Sequence, residues 1–176
     1  MSLAGGHRDF TKGALPAQAP YNSSVPALRP YRHEDFNQLL AIDHTCFVEG
    51  IAYPEEELRF FLNKSSAITL VGTDQNKIHG FVIADRFRSR QSANSMGRII
   101  TIDVVPQVQG TGLGSMLLCG VEDELRRAEC GYVSLEVAVD NQKALRFYKK
   151  HGYSVLKTLP RYYLDSIDGL LMGKKL

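Results

Sequence analysis

The spacing of apolar residues changes along the chain and separates helical segments from extended ones. Apolar residues recur every three or four positions in the predicted helices, namely residues 33–47, 55–63, 113–128 and 141–151. They alternate with polar residues or form β-branched runs in the predicted strands, namely residues 25–31, 67–71, 78–87, 98–105, 132–139, 153–159 and 169–172. The order β-α-α-β-β-β-α-β-α-β-β predicts an α/β (α+β) domain, with helices on both faces of a mixed sheet.

Polar segments and glycines mark the predicted boundaries between these elements. A polar turn at residues 73–77 joins two strands into a hairpin. Gly131 is the predicted C-cap of the third helix. Residues 48–54, 86–95 and 161–168 are predicted loops, and the second of them is basic.

Length, composition and charge fit one globular domain. The chain has 176 residues, of which 44% are hydrophobic, and residues 1–24 are predicted to be a flexible arm ahead of a domain at 25–176. A net charge of +2 gives no strong nucleic-acid-binding field. No segment resembles a signal peptide or a membrane span, so we expect a cytoplasmic protein.

The three cysteines indicate neither a disulfide framework nor a metal site. Their number is odd and their spacing does not match that of metal ligands. Cys119 and Cys130 fall in a stretch predicted to be helical, where we expect them to act as small hydrophobic residues.

A glycine-rich stretch between a strand and a helix is the strongest chemical signal in the sequence. A β-branched run ends at Pro106, then Gly110, Gly112 and Gly114 precede the third predicted helix. A helix N-terminus presents free backbone N–H groups and a partial positive charge, which bind phosphate. Glycines let the turn be tight and let a ligand lie against the backbone. The stretch is predicted to bind a pyrophosphate.

Two common phosphate-binding motifs do not fit this stretch. A P-loop needs lysine after its last glycine, whereas Ser115 and Met116 follow Gly114 here. A dinucleotide fingerprint needs a third glycine at the position of Ser115 and an acidic residue about twenty positions on. Glu136 is near that distance, but it lies within a predicted strand, and too little chain follows for a doubly wound sheet.

The stretch resembles the acyl-CoA pyrophosphate loop of the GNAT superfamily of acetyltransferases. Residues 109–114 match the pattern Q/R-x-x-G-x-G/A, and the likeness extends to residues 104–106, 135–137, 141 and 144–153. Within the superfamily the chain is most similar to the RimI-like enzymes, which acetylate protein N-termini. Residues 161–163 and 168–172 carry that likeness, although Ile167 stands where these enzymes usually have glutamate.

The resemblance implies a mostly antiparallel sheet of about seven strands and acetyl-CoA as cofactor. It implies that Glu136 is the base, acting through water, that Tyr148 is the acid for the departing thiolate, and that a backbone N–H near Val104 polarises the thioester. Four aromatic residues are assigned to the substrate: Phe47, Tyr53, Tyr162 and Tyr163. The residues assigned to the cofactor are Ile102, Asp103, Val104, Gln109, Gly110, Thr111, Gly112, Leu113, Gly114, Ser115 and Asn141.

Each of these residues also has a purely structural interpretation. Glu136 could be an exposed residue on a strand, Tyr148 a core aromatic residue, Asn141 a helix N-cap, and Tyr162 with Tyr163 a packing pair. The sequence leaves these alternatives open.

Ordinary pKa values favour an α-amine as the acetyl acceptor. An N-terminal amine has a pKa near 7.7–8.0 and lysine near 10.4, so freeing the lysine amine at neutral pH costs about 3.5 kcal/mol more. The expected partner is a protein or peptide N-terminus, ribosomal proteins included, and the enzyme is expected to be a monomer or homodimer without nucleic-acid or membrane partners. Two alternatives are an acetyltransferase of a small amine and an acyl-CoA-binding module without catalysis.

Overall fold

The computed structural model describes residues 26–47, 51–88 and 95–176. The predicted arm, residues 1–24, lies outside the described residues, as do positions 48–50 and 89–94 of two predicted loops. Within the described ranges, the helices and strands follow one another in the predicted order.

Seven strands and four α-helices make up the regular structure of the described chain. The strands are β1 (Ala27–Pro30), β2 (Ala67–Asp74), β3 (Lys77–Arg88), β4 (Ser95–Val104), β5 (Cys130–Ala138), β6 (Ser154–Tyr163) and β7 (Ile167–Lys175). The helices are α1 (Phe36–Cys46), α2 (Glu55–Asn63), α3 (Leu113–Arg127) and α4 (Gln142–Lys150), and short 3-10 turns at His33–Asp35 and Pro106–Val108 precede α1 and the glycine-rich turn.

All seven strands belong to one sheet, in the order β1-β2-β3-β4-β5-β7-β6. Neighbouring strands are antiparallel except β4 and β5, which are parallel. The predicted mixed, mostly antiparallel sheet is therefore confirmed. The proline-containing strand β1 lies at one edge, where the missing N–H group of Pro30 costs no ladder hydrogen bond.

The helices cover both faces of the sheet, as predicted. On one face α1 and α2 bury Leu39 and Leu58 against Phe81 of β3. On the other face α3 buries a stripe of apolar residues at helical spacing, and α4 adds Leu145 and Tyr148 to the same cluster. The α3 stripe consists of Leu113, Leu117, Val121 and Leu125, all at most 2% exposed.

The predicted end of α3 at Gly131 is wrong. The helix ends at Arg127, and the turn is made by Glu129, whose φ of 59° is in the left-handed region. Cys130 then opens β5 instead of lying in the helical stretch, and Gly131 is a strand residue. Sequence reasoning assigned the left-handed position to the glycine, but the parallel pairing with β4 extends the strand back to Cys130.

The predicted loop at 161–168 is mostly strand. β6 continues to Tyr163 and β7 begins at Ile167, with Tyr163 opposite Ile167 across the hairpin. The register shifts between Leu159 and Tyr163, where Arg161 has a φ of 51°. This bulge interrupts the alternation of side chains, which is why the pattern indicated a loop.

Candidate active site

A cleft opens where the two parallel strands part. The pairing of β4 with β5 ends at Arg98 and Ser134. Beyond these residues β4 continues beside β3 as far as Val104, and β5 continues beside β7 as far as Ala138. The strand segments that diverge are those that carry the predicted cofactor residues and Glu136.

A bulge in β4 shapes the floor of this cleft. Ile99 lies opposite Ala84 and Thr101 opposite Ile83, so Ile100 has no partner in β3. Its carbonyl oxygen instead accepts a hydrogen bond from the hydroxyl of Tyr53, at 3.3 Å. A bulge increases the local twist and redirects the strand. Because the Ile100 carbonyl oxygen is free of the β3 ladder, it can bond to Tyr53, which lies just before α2.

The glycine-rich turn has the conformation and the open space that a bound anion needs. Gly110 has a φ of 84° and Gly112 a φ of 99°, both in the left-handed region that favours glycine. A Cβ atom added at either position would meet nothing within 4 Å, so no protein atoms fill this space. Gly112 is the N-cap of α3 and supplies no side-chain cap, which leaves the first N–H groups of the helix available.

Gln109 connects the turn to the end of β4 and to α4. Its side-chain amide donates to the carbonyl oxygen of Val104 at 2.8 Å, and its amide oxygen accepts from the ammonium of Lys143. Sequence reasoning missed Lys143. The signal was a cation two residues after the predicted N-cap Asn141, in the helix that faces the turn. Lys143 adds positive charge beside the predicted pyrophosphate site.

Glu136 is ion-paired across the cleft. Nε of Arg98 donates to Oε2 of Glu136 at 3.0 Å, and Nη2 of Arg98 donates to the hydroxyl of Tyr162 at 3.2 Å. The Glu136 side chain is only 15% exposed. The structure therefore brings together one residue from β4, one from β5 and one from β6. Sequence reasoning missed Arg98, because a strand arginine 38 positions from Glu136 gives no sign of its partner.

Tyr148 is buried in the core cluster beneath the cleft. Its ring packs edge-on against Phe147 and Tyr153, with centroid distances of 5.2 and 5.6 Å. Burial raises the pKa of Tyr148, and the nearby acidic groups of Asp103 and Tyr163 raise it further. The phenol thus keeps its proton at neutral pH and can donate it. Both the core packing and a proton-donating role are compatible with this position.

Several predicted cofactor residues have side chains turned into the protein. Leu113 is 2% exposed within the α3 core, and Ile102 and Val104 pack against the same cluster. The Asp103 carboxyl is 1% exposed and accepts from the Thr101 hydroxyl at 2.6 Å. A cofactor in the cleft could therefore contact Leu113 and Asp103 only through backbone groups, whereas the side chains of Ile102 and Val104 are half-buried.

The remaining predicted cofactor residues lie at the helix N-termini around the turn. The Thr111 hydroxyl donates to the carbonyl oxygen of Val108 at 2.8 Å, and Gly114 and Ser115 are half-buried in the first turn of α3. Asn141 accepts from the N–H of Ala144 at 3.0 Å and is therefore the N-cap of α4. That finding supports the structural interpretation of Asn141 without testing its contact with a cofactor.

The predicted substrate residues approach the cleft from two sides. Phe47 ends α1 and is half-buried, and the hydroxyl of Tyr53 reaches β4. Tyr162 and Tyr163 pack edge-on at 5.1 Å in the β6–β7 hairpin, where Tyr162 is 45% exposed. Burial raises the pKa of Tyr163 to about 12, with a further contribution from Tyr162. The contact of Tyr53 with β4 and the exposure of Tyr162 are compatible with the predicted substrate role, which for all four residues stays a prediction.

Comparisons with known proteins agree with this architecture. The model of the acetyltransferase (GNAT) family matches residues 33–153. An uncharacterized N-acetyltransferase of Methanocaldococcus jannaschii is 31% identical over 149 residues, covering 84% of this chain and 90% of that protein. N-alpha-acetyltransferase 30 of Schizosaccharomyces pombe is 26% identical over 139 residues, which cover 79% of this chain and 91% of that protein.

The fold has a similar solved counterpart. A chain of the NatC complex, solved bound to Gag peptide and CoA, matches with a TM-score of 0.76 and 23% identity, covering 86% of this chain and 98% of that one.

In the part of the chain that the structure describes, no helix is both long enough and apolar enough to cross a membrane.

Proposed function

The chain belongs to the GNAT family of acetyltransferases and is an acetyl-CoA-dependent N-acetyltransferase, and from that premise we propose that it acetylates the N-terminal α-amine of a protein or peptide. One observation carries the choice of acceptor. The hydrogen-bonded chain from Tyr162 through Arg98 to Glu136 connects the exposed β6–β7 hairpin with the proposed base. A peptide lying along that hairpin would present its first amine to Glu136.

The glycine-rich turn is the proposed site of the cofactor's diphosphate. The left-handed glycines, the uncapped start of α3 and the ammonium of Lys143 together offer N–H donors and positive charge to an anion. When bound, acetyl-CoA supplies a thioester that an amine can attack and a thiolate that has to be protonated. The N–H groups of β4 near Val104 border the cleft, where one of them can polarise the acetyl carbonyl.

Glu136 is the proposed acceptor of the amine proton. Its Oε2 is occupied by Arg98, whereas Oε1 has no hydrogen-bond partner among the described residues. Arg98 therefore fixes the direction of the carboxylate and leaves one oxygen for the amine or an intervening water. A base has to be held within hydrogen-bonding reach of the proton it takes, and Oε1 is the atom proposed to reach it.

Tyr148 is the proposed donor to the departing sulfur. The phenol carries its proton at neutral pH, and because burial raises its pKa, a phenolate formed there is short-lived. The reaction then needs no covalent enzyme intermediate. Glu136 receives the amine proton, Tyr148 gives a proton to the departing sulfur, and a proton passes from Glu136 back to the Tyr148 phenolate through water to restore the enzyme.

A pair of matched peptides tests the choice of acceptor. One peptide carries a free α-amine and no lysine, and the second has the same sequence with a blocked N-terminus and one lysine. We expect mass spectrometry to show acetylation of the first peptide and at least about tenfold slower acetylation of the second, since the lysine amine costs about 3.5 kcal/mol more to deprotonate.

A panel of polyamines and amino sugars, measured beside these peptides, separates the alternatives. Turnover of small amines without turnover of the free peptide would replace the proposal by a small-amine acetyltransferase. Thermal stabilisation by acetyl-CoA without turnover of any amine would indicate an acyl-CoA-binding module.

A further inference from the structure

Two carboxyl groups are buried side by side between α1 and β4. Asp43 is 0% exposed and Asp103 is 1% exposed. Among the described residues neither forms a salt bridge with a lysine or arginine. Two unpaired buried carboxylates in contact would carry a large electrostatic cost, which such pairs avoid by retaining one proton between them.

The hydrogen bonds around the pair leave room for one shared proton. The backbone N–H of Tyr53 donates to Asp43 Oδ2 at 2.7 Å, and the Thr101 hydroxyl donates to Asp103 Oδ1 at 2.6 Å. The other two oxygens, Asp43 Oδ1 and Asp103 Oδ2, are fully buried and have no donor in the described structure. The carboxyl groups lie within hydrogen-bonding reach of each other, so a single proton satisfies both oxygens.

The groups that face the pair do not supply a competing charge in the interior. Burial raises the pKa of the Cys46 thiol to about 11, and burial likewise raises the pKa values of the Tyr53 and Tyr148 phenols, so all three are neutral at pH 7. The His44 side chain is exposed on α1 and contacts the carbonyl oxygen of Tyr53 at 3.1 Å. Burial raises the pKa of Asp103 well above its usual range, and the neighbouring Asp43 raises it further.

We propose that Asp43 and Asp103 share one proton and that this acid pair positions the substrate side of the cleft against β4. The inference rests on the proposed function for its substrate. Asp43 holds the N–H of Tyr53, and Asp103 belongs to β4, so the pair joins the start of the α2 segment to the strand that borders the cofactor site. Two further hydrogen bonds belong to the same junction. The Tyr53 hydroxyl donates to the Ile100 carbonyl oxygen, and the Cys46 thiol donates to the Val104 carbonyl oxygen at 3.4 Å.

The shared proton makes the junction sensitive to alkaline pH. A carboxyl whose pKa is raised in the folded state contributes stability at low pH and loses it as the pH rises through that pKa. Once the proton is lost, two buried carboxylates repel each other across the α1–β4 contact. We expect the KM for peptide to rise with pH above about 8, where the α-amine is already neutral. The affinity for acetyl-CoA should change less, because the donors to the two carboxyls are the Tyr53 N–H and the Thr101 hydroxyl rather than groups of residues 110–115.

Two substitutions of Asp43 distinguish the effect of its hydrogen bonds from the effect of its ionisable carboxyl group. In Asp43→Asn the amide oxygen can accept from Tyr53 and the amide N–H can donate to Asp103 without a shared proton. We expect this variant to retain the wild-type KM for peptide at pH 7 and to lose its rise at alkaline pH. Asp43→Ala removes both bonds, and its KM for peptide should rise about tenfold or more, which corresponds to about 1.4 kcal/mol. Calorimetric binding of acetyl-CoA is the control for both variants.

Carbon-13 NMR of aspartate-labelled wild-type protein tests the proton without any variant or substrate. We expect one carboxyl signal to keep the chemical shift of a protonated acid at pH 7. Ionised shifts for both carboxyls at pH 7 would overturn the proposal, as would an Asp43→Asn variant as impaired as Asp43→Ala. A protonated signal in a protein inactive on every peptide would refute the proposed function while leaving the shared proton in place.

Discussion

Replacing Gly112 by alanine separates a cost in stability from a cost in cofactor binding. Gly112 has a φ of 99°, and an added Cβ would meet no protein atom within 4 Å. The substitution therefore lowers the free energy of unfolding only through the strain of the left-handed backbone, by about 1–2 kcal/mol. The same methyl group would stand in the space where the diphosphate is proposed to lie.

Gly152 provides the matched control for this variant. Its φ is 88°, and a Cβ there would make only ordinary contacts with Lys174, at 3.8 and 3.9 Å. It follows α4 and is remote in sequence from the glycine-rich turn. Gly152→Ala should therefore lose a similar 1–2 kcal/mol of unfolding free energy, equivalent to a fall in Tm of about 2–8 °C for a domain of this size.

The two variants should differ in affinity for acetyl-CoA. Each hydrogen bond to a charged group is worth about 1.5–3 kcal/mol, so losing one from the diphosphate lowers the affinity of Gly112→Ala by about 10- to 150-fold. Gly152→Ala should bind as the wild type does. Isothermal calorimetry gives the affinities and urea unfolding the stabilities. Equal affinities in the two variants would refute the pyrophosphate assignment.

Three further substitutions test the catalytic groups. Tyr148→Phe should lower kcat by about 10²-fold or more with little change in acetyl-CoA affinity, and unchanged turnover would remove the acid role. Glu136→Gln should lower kcat on the free-amine peptide by a similar factor, and the deficit should shrink at high pH, where more amine is already neutral. Arg98→Gln should raise the KM for peptide through the loss of its bonds to Glu136 and Tyr162, and a wild-type KM would show that these bonds do not position the substrate. Steady-state kinetics with acetyl-CoA measures all three.

The sequence predicted the order of the elements and the two-sided packing because both depend on local patterns. The α3 stripe from Leu113 to Leu125 and the glycines at 110 and 112 are local signals, and each has a direct physical meaning. The end of α3 was misplaced because a non-glycine residue, Glu129, adopts the left-handed conformation there. Propensity favours glycine at such a position, but it does not exclude other residues.

The partners of the candidate site could not be predicted in the same way. Arg98 and Glu136 are 38 positions apart, and Asp43 and Tyr53 are 10 positions apart, with no sequence signal for the bond between them. The resemblance placed Asp103 among the cofactor residues, which stays a prediction, but it gave no sign that the Asp103 carboxyl would be buried beside Asp43 of α1. The bulge at Ile100 changes which side chains share a face, and that change is set by pairing with β3.

A crystal structure with CoA joined through an acetyl group to the α-amine of a short peptide would test the central claim most directly. The account predicts that the diphosphate lies against the backbone of residues 110–115 and that the peptide nitrogen lies between Glu136 and Tyr148. It also predicts that the first peptide residues pass between Tyr53 and Tyr162. A diphosphate bound elsewhere, or a peptide nitrogen out of reach of both Glu136 and Tyr148, would contradict it.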